Sequence, residues 1–377
     1  MTATATLRET GEEGAATTAG ALSTPERLKF EPDSGFHRQL KDEADVYFAR
    51  TGLSPRDAPA LYRKTAVIFA WFLSSYLFLM FGAATWWQAA LAAVALGLSV
   101  SGIGFAIQHD ANHHAYSKRR WVNNLLGFSL DVVGGSSYIW RYKHNVFHHT
   151  FPNLAGADDD IDLRPFARLA PTQPRRSLHR FQQYYLWVLY GFLAPKWHFV
   201  DDFKNLAQGR IGSHRLPRPR GAALVAFFGF KLFFLTWAFV VPMLIHPWWA
   251  VLATYFLAAG VTGASLAIVF QLAHCVDGAD FPTPPEGPSL GIPFAEHQVR
   301  TTVDFAPGSR FLTWYLGGLN YQVVHHLFPH VCHAHYPALA KMVSRVCEER
   351  GLRYRLEPKL SGALAAHFRW LQQMGQA

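Results

Sequence analysis

The stretch WQAALAAVALGLSVSGIGFAIQHDANHH, residues 87 to 114, decides how this chain is read. From Trp87 to Gln108 it carries no Asp, Glu, Lys or Arg, and it exceeds the roughly 20 apolar residues that a helix needs to cross hydrocarbon. It then ends abruptly in an aspartate and three histidines. Groups that seek water and metal are therefore set at the rim of a membrane span. The pattern returns twice, as HNVFHH at 144–149 and QVVHH at 322–326.

Three further apolar runs extend from about Thr65 to Ala84, Ala222 to Ile245 and Trp248 to Gln271. The first and second of the four runs are joined by a few residues around Trp86 and Trp87, the third and fourth by His246, Pro247 and Trp248. Each pair reads as a hairpin with tryptophans at its turn, where an aromatic belt belongs. Neither turn carries Lys or Arg, whereas the amino-terminal segment, the connection 109–221 and the tail after 272 are rich in both. The positive-inside rule places those three parts, and every histidine cluster with them, on the cytosolic face. Trp121 to Trp140 is too polar and Tyr184 to Trp197 too short to span, so both read as interfacial helices.

Composition agrees. Half of the 377 residues are hydrophobic and 16% are charged, against the usual quarter. The net charge of +9 comes from residues flanking the apolar runs, without a basic stripe interleaved with stacking aromatics, so it points to lipid and not to nucleic acid. Cys275, Cys332 and Cys347 are odd in number and lack CxxC spacing, which supports neither a disulfide framework nor a zinc knuckle. Residues 1–35 read as a disordered tail and 36–374 as one membrane domain, opening with an amphipathic helix in FHRQLKDEADVYFARTG (36–52). Lys231 is a formal charge inside the third run. The simpler expectation is that its flexible stem snorkels to the interface, the alternative that it pairs inside the bundle.

Helical spacing gives the histidines a meaning. Residues i and i+4 share a face, so His109 and His113 can point at one metal, as can His144 and His148. Gln322, His325 and His326 stand at i, i+3 and i+4. His114 and His149 lie one residue beyond their faces and reach a metal only where the helix frays or kinks, which leaves open whether His113 or His114 is the main ligand of the first cluster. His274 follows the fourth run at the same level. Nine histidines and one glutamine suit two metal ions with four or five protein ligands each. Imidazole alone does not name the metal. His330, His333 and His335 lack helical partners and read as surface or supporting groups.

HDANHH, HNVFHH and QVVHH resemble the three histidine boxes of the membrane fatty-acid desaturases, and LFPHVCHAHYP is similar to the segment after the third box in that family. A glutamine opening that box is the form of front-end and bacterial linoleoyl-CoA-type members. The resemblance implies an all-α membrane protein with four transmembrane helices in two hairpins and a cytosolic helical cap. It further implies a non-haem di-iron centre held by His109, His113, His114, His144, His148, His149, His274, Gln322, His325 and His326, with O2 as co-substrate. Val324 stands where many front-end members have an acidic residue, and no HPGG haem motif is present, so electrons are expected from a separate ferredoxin or cytochrome with its reductase. The implied substrate is an acyl-CoA or acyl-lipid in membrane lipid.

The implied reaction removes two hydrogens from adjacent methylenes. An unactivated C–H bond offers acids and bases no handle, so a metal-activated oxidant is required and no separate side-chain acid or base is proposed. Asp110, Asn153, Asp160 and Asp162 lie beside the boxes as candidates to orient ligand imidazoles. A hydroxylase, ketolase or epoxidase would use similar boxes. A metal transporter would place its ligands at mid-membrane, and a haem carrier would pair histidines within the four apolar runs, which contain none.

Overall fold

Among the described residues, four helices are long and apolar enough to cross a membrane: Pro59–Phe81, Trp86–Asn112, Ala222–Met243 and Trp248–His274. The computed structural model describes residues 28–283, 285 and 287–376. Thr85 opens the second of these helices with a reciprocal cap, its hydroxyl accepting from the Gln88 N–H while the Gln88 side chain accepts from the Thr85 N–H. Pro247 precedes the fourth, where its missing N–H costs nothing.

The second and fourth helices form the centre of the bundle. A Cβ placed on Gly97 would lie 2.4 Å from the Ala258 carbonyl oxygen, so only glycine permits this approach. Thr262 exploits it by donating its hydroxyl to the Gly97 carbonyl at 3.0 Å. Both helices run for 27 residues, about 40 Å at 1.5 Å per residue, against about 30 Å of hydrocarbon. Their last turns therefore project beyond the apolar layer and carry His109 and His274 into the cap. Hydropathy ends the second helix at Gln108 because the residues after it are polar, while the helical backbone continues to Asn112.

The cap is built from shorter helices. Phe36–Thr51 buries Phe36, Leu40 and Ala44 against Leu339, Val343 and Val346 of Tyr336–Glu349, so its apolar face meets protein. The expected tail is shorter at its carboxyl end than residue 35. Lys29–Glu31 pairs in parallel with Ser289–Pro293, and Leu28 and Phe30 pack beside Phe151 and Leu154, apolar surface that composition alone does not reveal. The rest of that tail, residues 1–27, lies outside the described residues.

Residues 121–140 break into three short helices, Arg120–Gly127, Ser129–Val132 and Ser137–Trp140, with Trp121 and Leu125 exposed. The stretch read as Tyr184–Trp197 belongs to a longer helical run from Gln182 to Gln208. It crosses the fourth membrane helix where a Cβ on Gly263 would meet the Tyr190 and Gly191 carbonyls at 2.8 Å, and it turns Tyr184, Val188, Phe192 and Val200 outward.

Lys231 does not snorkel. Its Nζ lies 2.7 Å from the Asp202 carboxylate and donates to the Gly134 carbonyl at 2.6 Å and the His198 carbonyl at 3.4 Å, and the residue is 5% exposed. The 182–208 run supplies inside the bundle what the ammonium would otherwise seek at the interface.

Candidate metal centre

Two departures from α-helical winding assemble the centre. The second membrane helix passes through a π-helical turn at Gly104–Gln108 immediately before His109. Arg141–His148 is π-helical throughout. A π-turn joins i to i+5, and so His149 is swung beside His144, their Nε2 atoms 3.2 Å apart. Trp140 stacks on the His144 ring with centroids at 4.4 Å and fixes its tilt. Gln322, His325 and His326 lie on the six-residue helix Gln322–Leu327, wholly buried.

Ligand-type nitrogens converge within 4.8 Å in overlapping groups, His109 with His113, His144 and His325, then His148 with His274 and His326. His149 joins His325 and His326 between them. The Gln322 amide sits 3.0 Å from His274 Nε2. Nine of the ten residues read from the sequence are thus brought together. His114 is not. The helix ends at Asn112 with His113 as its cap, and His114 adopts φ 55°, a left-handed conformation that turns its ring away to a half-exposed position outside every group.

Burial, reinforced by neighbouring imidazoles, holds His113, His144, His149, His325 and His326 well below the ordinary histidine pKa of 6.5. Such rings are neutral and present a lone pair. His148 differs: burial opposes its charge, but the adjacent Asp158 carboxylate raises its pKa above 6.5. The Nε2 atoms of His113, His148 and His326 are buried without any hydrogen-bond partner, and His149 Nε2 lies 2.9 Å from His325 Nε2. Buried polar atoms left unpaired this way are rare, and lone pairs converging on one another are what a cation satisfies. The donor set fits a divalent transition metal.

The outward nitrogens are held in turn. His148 Nδ1 bonds Asp158 at 3.0 Å, His326 Nδ1 bonds Gln298 Oε1 at 2.8 Å, and His325 Nδ1 contacts the Tyr336 hydroxyl at 3.2 Å. Each contact directs Nε2 inward. Of the orienting groups expected from sequence, Asn153 donates to Asp158 through its backbone N–H and to the carbonyls of His274 and Thr301 through its amide. Asp160 stands farther from His148, at 3.8 Å, and pairs with Lys143. Asp110 holds His333 at 2.7 Å, and Asp162 pairs with Arg164 near the surface. Asp158, Gln298 and Tyr336 escaped the sequence reading. Asp158 lies within the acidic run ADDD (157–160), a signal that did not single it out, and nothing local marks the other two.

A cavity of about 1440 Å³ meets the centre at His109, His144 and Gln322. Part of its wall is apolar, from Phe105, Leu266, Val269 and Phe270 of the two central helices and from Leu189, Leu193 and Trp197 of the 182–208 run. Another part is charged and includes Arg164, Arg176, Lys204 and Arg210. The charged part also holds Asp159, Asp160, Asp162 and Asp201, so the cavity joins an apolar wall to one of mixed charge beside the imidazole cluster.

A sequence profile for the fatty acid desaturases matches residues 84–358. The chain is 38% identical to an sn-1 linoleoyl-lipid 6-desaturase of Arthrospira platensis over 354 residues, covering 93% of this chain and 96% of that one. It is 37% identical to the protein of the same name from Synechocystis over 361 residues, 94% and 100% of the two chains. With an acyl-lipid (8-3)-desaturase of Physcomitrium patens it shares 38% identity over 344 residues, 90% of this chain and 72% of the other.

Proposed function

This chain belongs to the fatty acid desaturase family and is an enzyme of that class; we propose that it desaturates acyl-lipids at a pair of iron ions. In this reading His109, His113, His144 and His325 hold one ion, His148, His274, His326 and Gln322 the other, and His149 lies between them. Bound there, the metal pair supplies the O2-derived oxidant that an unactivated C–H bond requires. The balance is fixed by chemistry. A CH2–CH2 pair gives up two hydrogens, O2 becomes two waters, and the remaining two electrons and two protons come from outside the chain.

The protein's own contribution is positional. Phe105, Leu266, Val269 and Phe270 bound a water-poor path beside the cluster, holding adjacent methylenes near it. Asp158, Gln298 and Tyr336 keep the inward lone pairs aimed. Four apolar helices whose two hairpin turns lack Lys and Arg, while the connection 109–221 is rich in both, support a multi-pass protein with this centre on the cytosolic face. An acyl-lipid substrate is supported by the names of the relatives.

The observation that carries the reading is the set of orphaned, inward-facing imidazole nitrogens beside a cavity of about 1440 Å³ with a partly apolar wall. The test is iron analysis of the purified protein, combined with expression in a host of simple lipid composition and mass spectrometry of its fatty acids. Two irons per chain and new double bonds in lipid-esterified chains are expected. Metal-free active protein, or hydroxylated chains in place of alkenes, would overturn it.

A further inference from the structure

We propose that electrons reach the cluster through His330 and His113, beneath a basic surface that docks an acidic one-electron carrier protein. The inference rests on the desaturase reading, whose chemistry needs two electrons per double bond from an external reductant; the carrier is oxidised once for each electron.

His330 is exposed, and its ring nitrogen Nδ1 lies 2.8 Å from the carbonyl oxygen of His113. The His113 ring stands in the cluster with its Nε2 unpartnered. One hydrogen bond and the covalent frame of one residue therefore join an exposed imidazole to a candidate ligand. The hydrogen bonds leaving His325 and His326 end instead on buried Tyr336 and Gln298. The Asp110–His333 pair leads to Lys64, buried in the first membrane helix.

The surface around His330 is basic. Arg56 Nε donates to the His330 carbonyl at 3.3 Å. Arg56, Arg120, Arg141 and His330 all lie close enough to His114 to be felt electrostatically. Lys118, Arg119 and Arg120 are consecutive and exposed. The acid beside them, Asp57, is already engaged by Ser117, Tyr62 and the Lys118 N–H. His114, turned out of the cluster, lies within this patch. Redox encounters are small, transient and steered by charge, and an acidic face complements this one. Anionic lipid headgroups are the competing occupant, because Arg56 and Lys118–Arg120 flank membrane helices. The route from His330 to His113 favours a redox protein, since a headgroup has no use for it.

The test uses full-length, iron-loaded enzyme in zwitterionic nanodiscs. Reduced plant-type ferredoxin and an acidic b-type cytochrome serve as carriers, and excess dithionite followed by O2 in a single turnover bypasses docking. Arg119→Glu with Arg120→Glu should raise the carrier KM about tenfold or more and flatten its dependence on ionic strength, with dithionite turnover and iron content unchanged. His330→Ala should slow turnover at saturating carrier while leaving KM near wild type, and His330→Gln, which keeps an amide donor, should recover part of the rate. An unchanged carrier KM in the charge-reversed enzyme would overturn the docking surface. So would an effect confined to binding of phosphatidylglycerol vesicles, or wild-type turnover with dithionite but with neither carrier. Wild-type enzyme inert even to dithionite would instead count against the desaturase reading itself.

Discussion

Lys231 and His148 are both buried polar groups facing a carboxylate, Asp202 at 2.7 Å and Asp158 at 3.0 Å, yet they are left in opposite states. The three N–H groups of Lys231 have three acceptors, the Asp202 carboxylate and the carbonyls of Gly134 and His198. His148 is satisfied on one side only. Its Nδ1 meets Asp158, while its Nε2 is buried without a partner and faces the lone pairs of His274 and His326. A completed network of this kind fixes the positions of the elements it joins, here the third membrane helix, the turn before Ser137–Trp140 and the helical run along the cavity. An incomplete one, repeated over several rings, marks where a ligand belongs.

The comparison breaks most decisively at the cluster. His148→Ala and His325→Ala are expected to reduce turnover to background and to lower bound iron, measured on purified protein, while membrane insertion stays at the wild-type level. Insertion depends on the apolar helices and not on these side chains. Full activity in either variant would remove the metal-centre reading.

The next largest effect is at Lys231. Lys231→Met leaves Asp202 buried and uncompensated, which for a broken buried pair costs about 3–5 kcal/mol. Lys231→Met combined with Asp202→Leu removes both charges and should regain most of that stability, read from thermal inactivation in detergent. Because Trp197 and Asp201 of the same run line the cavity, the single variant should also shift the product distribution. A single variant as stable as wild type would restore snorkelling.

Asp158→Asn sharpens the other side of the comparison. The amide oxygen still accepts from His148 Nδ1, so geometry survives, but the charge that raises the basicity of the ring is gone. Iron affinity should fall roughly 10- to 100-fold, measured by competition with a chelator. An equal change in Asp162→Asn, whose carboxylate pairs with Arg164, would show a general loss of charge and not a local effect.

The parts of the molecule that could be read in the sequence are those governed by such local rules. The apolar runs and the i, i+4 histidines are properties of a single helix, and they located the four membrane helices, the pair His109–His113 and the third cluster; His144 and His148, read as facing one metal, instead divide between the group of His109, His113 and His325 and the group of His274 and His326. The π-turns at Gly104–Gln108 and Arg141–His148 leave no residue signature, so the route of His149 into the cluster was legible only as a condition. The partner of Lys231 lies 29 residues upstream, on a run that hydropathy judges too short to matter. Gln298 is 28 residues from His326 and carries no motif. Long-range pairs of this kind are decided by packing, which one sequence does not display.

The smallest effect is the most discriminating within the first box. HDANHH offers two adjacent histidines, and an ideal helix favours the first of them only weakly. The backbone makes the choice: the helix closes at His113, His114 takes φ 55°, and a residue in that conformation cannot return its ring to the face shared with His109 without unwinding the turn. His114→Ala is therefore expected to leave iron content and single-turnover chemistry with dithionite within error of wild type, whereas His113→Ala should lose iron as the other cluster variants do. His114→Gly would go further, relieving the left-handed residue of its Cβ, with a stability change of at most about 1 kcal/mol. Iron loss in His114→Ala that matches His113→Ala would mean that the turn rearranges around the metal, and that both histidines of the box face it.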